Sequence, residues 1–507
     1  MKEHNENLKF ILNTITEAYI FIMFLIFPFI VDKTGFFHIM EIKWHSFLII
    51  SISYIVISTF IFLIYKLFFK VKLFKLYKLS LVQYLALAFL LVNVISTFTS
   101  PYFSRYNLYV GIGRGEGLLV TSLYVLSFLY VSLFTKFDKK HILYIIISSI
   151  IHSSICILQY IGFNPFNMYQ GSIGTHNVSF MGTIGNVDFI SAYYCIVLTI
   201  SFAAFVFIEK EEKWKKILEL VSILFGFFII GIISVQSGKV AFFGTLVLFF
   251  PFILKNNKRL SKFMIGIASI LFGYCFNIII NPEYHYDVQK LGFYFQFNKY
   301  VVAFIFVIII LIALAKRIDE LKYDINNNKL FRLYYIGIVA CAFIGLLFLG
   351  LVDIHLGFLH EIHEMLHGHF LDEYGTYRVF LWKRTIKLIP DYPLIGSGPD
   401  TFAVRFMSVY ANDVRSLGAY TINDTAANVY LTMLVNIGII GLWSYILFLF
   451  VLIKKSLKNM NIYSFVLLLG IVCFLIQDFF NLWLVIVTPL FWILLALFYK
   501  SSCNETK

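Results

Sequence analysis

Charge is what this sequence has least of. Only 14% of its 507 residues are Asp, Glu, Lys or Arg, against 60% hydrophobic, whereas soluble domains carry about 25% charge. An ordinary soluble protein is excluded. Paired cysteines are also missing: Cys156, Cys195, Cys275, Cys341, Cys473 and Cys503 lie almost all inside apolar runs without regular spacing, which reads as apolar packing rather than a disulfide framework. The first apolar run has no small-residue cleavage site and is too long for a signal-peptide core, so it is expected to stay as an anchor. No internal repeat is visible, which counts against a repeat-built transporter.

What is present is a succession of apolar runs. They predict an all-α integral membrane protein of about 14 transmembrane helices, at 10–31, 44–65, 79–99, 117–135, 141–160, 187–207, 217–235, 240–254, 263–280, 300–315, 333–353, 428–453, 462–480 and 482–499. The expected organisation is eleven spans with short loops over 1–353, one large and mostly helical loop over 354–427, three further spans over 428–499 and a tail over 500–507. Placing both termini on one side gives that side 28 of the 41 basic residues and leaves 13 opposite. The positive-inside rule then puts both ends in the cytoplasm and the large loop outside. The same asymmetry explains the net charge of +13 without nucleic acid.

Cations that survive on the depleted side are the informative ones. Arg105 and Arg114 stand with Glu116 just before the fourth span, a set that also fits a plain turn with a salt bridge. Gly111, Gly113, Gly115 and Gly117 lack a preceding strand and a following GK[ST], so they are not a nucleotide loop. Gly182, Gly185 and Asn186 predict a turn into the sixth span, with Asp188 favourably placed in that helix's first turn. Lys239 lies at the membrane boundary in SVQSGKVAFFG and fits either an anion partner or a snorkelling side chain.

In the large loop, Arg378, Trp382, Thr385 and Ile389 share one helix face that Pro390 must end. Gly396 and Gly398 follow, and Pro399 with Asp400 predict a new helix start able to seat an anion. Asp424 is expected as N-cap or first-turn acid of the twelfth span, sharing a face with Asn428. His363-Glu364-Met365-Leu366-His367 matches the zinc-protease helix pattern, but no third histidine follows at metzincin spacing. With His360 and His369 it reads as a His-rich stretch open to incidental metal binding, and no catalytic metal or other cofactor is expected.

Arg105, Arg114, Lys239, Arg378, Lys383, Arg384 and Arg405, with Glu116, Asp400 and Asp424 among them, suit a diphosphate gripped by forked guanidinium groups above an apolar slot for a lipid tail. At these residues the chain resembles the O-antigen ligase and polymerase superfamily. The resemblance rests on STFTSPYFSRYNLYVGIGRGEGLL, GTIGNVDFISAYY, QSGKVAFFG, YGTYRVFLWKRTIKLIPDYPLIGSGPDTF and DTAANVYLTMLVNIGIIGLWSYILFLF, which occur in family order from about residue 95.

The resemblance implies a GT-C-like, metal-independent glycosyltransferase. It would move glycan from undecaprenyl diphosphate to a glycan, lipid or cell-wall acceptor on the outer face of a bacterial cytoplasmic membrane. Arg114, Lys239 and Arg378 match the family's diphosphate-holding positions, Lys239 where relatives commonly have arginine. Relatives commonly read A-H-N where this chain has Ala426-Ala427-Asn428, so the family's proposed histidine base is absent: either Glu116, Asp424 or a loop histidine replaces it, or the donor ionises with little base help, or this copy is inactive. Metal-dependent relatives of that fold are disfavoured because Asp32 and Glu41 are too far apart to pair. The candidate site is therefore Glu116, Asp424 and Asn428 for catalysis and Arg105, Arg114, Lys239, Arg378, Trp382, Arg384 and Arg405 for binding. The competing readings are a polysaccharide flippase and, because of Ala427, a non-catalytic glycan-assembly partner.

Overall fold

The computed structural model describes residues 2–70, 77–109, 114–169, 179–283, 292–321, 323, 328–355, 357–417 and 423–503. Gly111 and Gly113 of the expected site loop lie outside them. The fold is all-α, an integral membrane architecture with two short hairpins. The first helices are α1 (Lys2–Leu25), α2 (Ile39–Leu67), α3 (Leu81–Phe98), α4 (Leu118–Phe134), α5 (Lys140–Tyr160), α6 (Val187–Phe207), α7 (Lys213–Ile233), α8 (Gln236–Ile253), α9 (Asn257–Ile279), α10 (Lys299–Glu320) and α11 (Asn328–Leu351). Then come three loop helices, α12 (Gly357–Leu366), α13 (Arg378–Leu388) and α14 (Phe402–Ser416), and finally α15 (Val429–Lys458), α16 (Ile462–Gln477) and α17 (Thr488–Cys503).

Among the described residues, eleven helices are long and apolar enough to cross a membrane, and α4, α16 and α17 are shorter apolar helices. Together they coincide one for one with the fourteen expected runs. The centre is α6, buried along its whole apolar window and packed by α5, α7, α8 and α16. Nearby, the fully buried Trp492 of α17 stacks on Phe448 and lies against Trp483. At the periphery α11 buries none of its apolar window, as a helix facing lipid tails would.

The hairpin β1 (Phe180–Met181) with β2 (Gly185–Asn186) leads into α6. There the expected turn leads into the helix with Asp188 in its first turn, and Asn186 caps it by accepting the Asp188 N–H at 2.8 Å. A second hairpin, β3 (Ile280–Glu283) with β4 (Gly292–Phe295), follows α9.

One irregularity shapes the site. Gly438 (φ 67°, ψ −173°) breaks α15, releasing backbone groups that a helix would have paired. The loop Pro393–Gly398 pairs with them: Ile439 and Ile440 donate to the carbonyls of Pro393 and Leu394, while Ser397 and Gly398 donate to those of Val435 and Asn436. The approach is so close that a Cβ on Gly396 would lie 2.3 Å from the Asn436 carbonyl carbon, and one on Gly438 would lie 2.4 Å from Leu394. The loop helices are thereby fastened onto the end of the bundle where α2, α4, α6 and α15 begin.

Two sequence expectations fail here. The helix expected to start at Pro399 starts at Phe402, with Thr401 before it, because Asp400 adopts a left-handed φ of 58° that no right-handed helix accepts. Asp424 neither caps α15 nor shares a helix face with Asn428. Ala427 is left-handed at φ 48°, and Asn428 caps the helix itself through the Leu431 N–H at 3.0 Å.

Candidate active site

A cleft partly open to solvent lies at this end of the bundle. Its apolar wall includes Phe89, Val429, Met433 and Leu482, and its polar rim carries Arg114, Glu116, Asp400 and Asp424. Two turns aim the first pair. Gly115 takes φ 71° and its carbonyl accepts the Trp44 indole N–H at 3.0 Å, and Gly117 then begins α4. Arg114 and Glu116, two residues apart, thus face one space.

Arg114 Nε lies 2.7 Å from Asp424 Oδ2, without the alignment of a full hydrogen bond. Its guanidinium also sits 5.5 Å from the centre of the Phe189 ring and 3.6 Å from Met40 Sδ. Phe189 follows Asp188 in the first turn of α6, and Asp188 lies within electrostatic reach of both Arg378 and Arg114.

Glu116 has the more consequential environment. Tyr124 Oη donates to both carboxyl oxygens at 2.9 and 3.0 Å, and the Glu116 N–H donates to Asp400 Oδ2 at 3.2 Å. Burial foremost, with Asp400 adding to it, pushes Glu116 up to about 8, against the lowering effects of the Tyr124 hydroxyl, the Val485 N–H and Arg114. A carboxyl poised near neutral pH on the edge of a cleft can accept or release a proton there.

The remaining expected residues separate. Arg378 opens α13 behind the left-handed Tyr377. Its two Nη groups donate to the carbonyls of Gly375 and Phe480, both at 3.1 Å, while its buried Nε has no partner. Trp382 donates to the Ala426 carbonyl at 3.0 Å, fixing the Asp424–Asn428 turn to α13. Asn428 is occupied at both ends of its amide, since Nδ2 also reaches the Phe479 carbonyl at 3.0 Å. Arg384 is taken up by Asp413 at 2.7 Å and Asp372 at 3.0 Å, stacking on Phe380 at 3.7 Å. Arg405 is 2% exposed and holds Asp391 at 2.8 Å together with the Leu388 carbonyl.

Arg105 is exposed on a short helical turn. Lys239, in the first turn of α8, has no hydrogen-bond or ion-pair partner among the described residues, although its neighbour Gly238 packs on Ser191 of α6. Neither residue lines the cleft. The structure therefore gathers Arg114, Glu116 and Asp424, with Arg378 next to them and Trp382 and Asn428 as supports. Lys383 pairs with Asp372 at 3.0 Å.

Residues 298–446 match the family described as O-Antigen ligase. That segment is similar to an O-antigen ligase domain. The match supports the O-antigen ligase/polymerase-like superfamily and, at family level, a membrane glycan ligase or polymerase. It runs from α10 to the middle of α15, so it contains Arg378, Trp382, Arg384, Arg405, Asp424 and Asn428, whereas Arg114, Glu116 and Lys239 lie outside it. No curated protein matches this sequence.

Three residues in or behind the lining of this cleft escaped the sequence reading. Tyr124 sits eight positions after Glu116 within an apolar run, where nothing marks its hydroxyl. Trp483 lines the cleft and donates to Asp478 Oδ2 at 3.4 Å. Asp478 is 2% exposed. An acid in the apolar run CFLIQDFFNLW was the available signal, since intramembrane acids are rare without a role.

Proposed function

We propose that the chain is a membrane glycosyltransferase of the O-antigen ligase/polymerase type. It acts on the outer face of a bacterial cytoplasmic membrane, takes glycan from an undecaprenyl-diphosphate carrier and transfers it to an acceptor hydroxyl in surface-polysaccharide synthesis. Both termini then lie in the cytoplasm, where the positive-inside rule gathers the basic loops.

The observation that carries this reading is the placement of Arg114 and Glu116 on one cleft whose apolar and acidic lining is partly built by the O-antigen ligase-like segment. In the proposed reaction the acceptor oxygen attacks the anomeric carbon of the donor sugar. The bond from that carbon to the diphosphate oxygen breaks, and the bonding pair leaves with the lipid diphosphate. Arg114 and Arg378 stabilise the charge gathering on the leaving group, which preorganised cations do best in a site shielded from water. Glu116, as carboxylate, takes the acceptor proton and so fills the place of the base missing at Ala427. Asp424 holds Arg114 until the donor arrives. The apolar wall of Phe89, Val429 and Met433 suits the first isoprene units.

Cells carrying Arg114→Gln, Arg378→Gln or Glu116→Gln test this. Loss of transferred glycan with carrier-linked glycan accumulating supports the reading, and wild-type surface polysaccharide in all three defeats it. A ladder of lengths that disappears identifies a polymerase, while intact polymer left on its carrier identifies a ligase.

A further inference from the structure

Outside the cleft, where α11 ends and α12 begins, Asp353, His355 and His360 bring one ligand atom each within 4.8 Å of the others. Asp353 Oδ2 lies 3.0 Å from His355 Nδ1, and Asp353 Oδ1 lies 2.8 Å from His360 Nδ1. Nitrogen and oxygen ligands on a tetrahedral zinc ion, each about 2.0–2.1 Å from the metal, are about 3.3 Å from one another. The two imidazoles contact different oxygens of one carboxylate, so the three groups stand wider than that spacing and need a side-chain adjustment to form one face of such a site. Glu361 and Glu373 line the same solvent-open depression, offering oxygen for a remaining position. The HExxH pair is not so arranged: His363 Nδ1 is held by the Leu349 carbonyl at 2.6 Å and His367 Nδ1 by the His363 carbonyl at 2.9 Å.

We propose that Asp353, His355 and His360 form a binding site for one divalent transition-metal ion of the zinc, nickel or copper class, which mixed imidazole and carboxylate ligands select over magnesium or calcium. The ion joins the end of α11, a helix with almost no other packing, to the start of the loop helices. It sits one residue from Glu361, whose carboxylate accepts the Gly375 N–H at 3.0 Å in the turn that also holds Arg378. This site is separate from the glycan-transfer cleft and does not depend on that activity.

Cobalt(II) titrated into the full-length protein in detergent tests the proposal, read by visible d–d absorption and by the stoichiometry of bound metal. One equivalent with an imidazole-ligated spectrum is expected in the wild type. Affinity should fall by at least about tenfold in Asp353→Asn and His360→Ala and be retained in His367→Ala. The most exposed ligand, His355, supplies a second variant, His355→Ala, that cannot disturb packing. No cobalt bound by the wild type, or binding equal in the wild type and all the ligand variants, overturns the site.

Discussion

Arg114 and Asp424, more than three hundred residues apart in sequence, meet at 2.7 Å across the mouth of the cleft. The contact joins the turn before α4 to the turn before α15. A carboxylate in this place keeps a partly buried guanidinium compensated while no phosphate is bound, and its imperfect alignment leaves donors of the guanidinium fork for an incoming oxyanion. The same geometry predicts that Asp424→Asn weakens Arg114 placement without removing it. Donor affinity should change severalfold while transfer persists, read as KM against kcat.

Removing positive charge should be far more damaging. Arg378→Gln is expected to lower glycan transfer by about 10²- to 10³-fold, as loss of one preorganised donor does elsewhere. The variant should still elute as a folded protein in detergent. Arg384→Gln and Arg405→Gln should behave differently, because the charges of those side chains are neutralised by the carboxylates of Asp413, Asp372 and Asp391, whereas Arg378 donates to neutral carbonyls. Thermal stability should fall, by about 2 kcal/mol for the buried Arg405, with little change in donor KM.

Glu116 predicts a pH dependence. With its carboxyl raised to about 8, most copies are protonated at lower pH and only the carboxylate can accept a proton. Transfer should therefore climb with pH through about 8 and level off above it. Tyr124→Phe removes a donor that stabilises the carboxylate, so the midpoint should move to higher pH. Glu116→Gln should lose the climbing limb and about 10²- to 10⁴-fold in rate. A wild-type profile in Glu116→Gln would assign the proton to another group.

The seam between Pro393–Gly398 and the break in α15 predicts a backbone phenotype. Gly396→Ala must place a Cβ 2.3 Å from the Asn436 backbone at a φ of 70°. The left-handed conformation alone costs roughly 1–2 kcal/mol, and the clash adds to it. A lower melting temperature is expected, with loss of transfer because Asp400 and Arg378 shift together.

The positive-inside argument predicts the side on which α13 lies. In cells carrying Lys387→Cys, a membrane-impermeant maleimide should label residue 387 from outside. The exposed natural Cys503 at the tail should react only after permeabilisation.

Much of this fold was legible because apolar length is a one-dimensional signal: every expected run became a helix. The pairs that make the site were less legible. Arg114 and Glu116 stood out as charges on a cation-poor side, but only folding could show Asp424 leaving its expected helix cap for Arg114. Arg384 and Arg405 looked equally suited to a diphosphate until their acidic partners came into place. Gly438 reads as an ordinary small residue within VNIGII, so the break in α15 was silent, and with it the seam that positions Asp400. Tyr124 and Trp483 were hidden among the many aromatics of apolar runs.

The central claim is that Arg114 grips the diphosphate of a lipid-linked glycan donor. Its most direct test is the transfer rate of purified protein from undecaprenyl-diphosphate-linked glycan, wild type against Arg114→Gln. The account predicts a fall of about 10²-fold or more with the protein still folded, and transfer at the wild-type rate would contradict it.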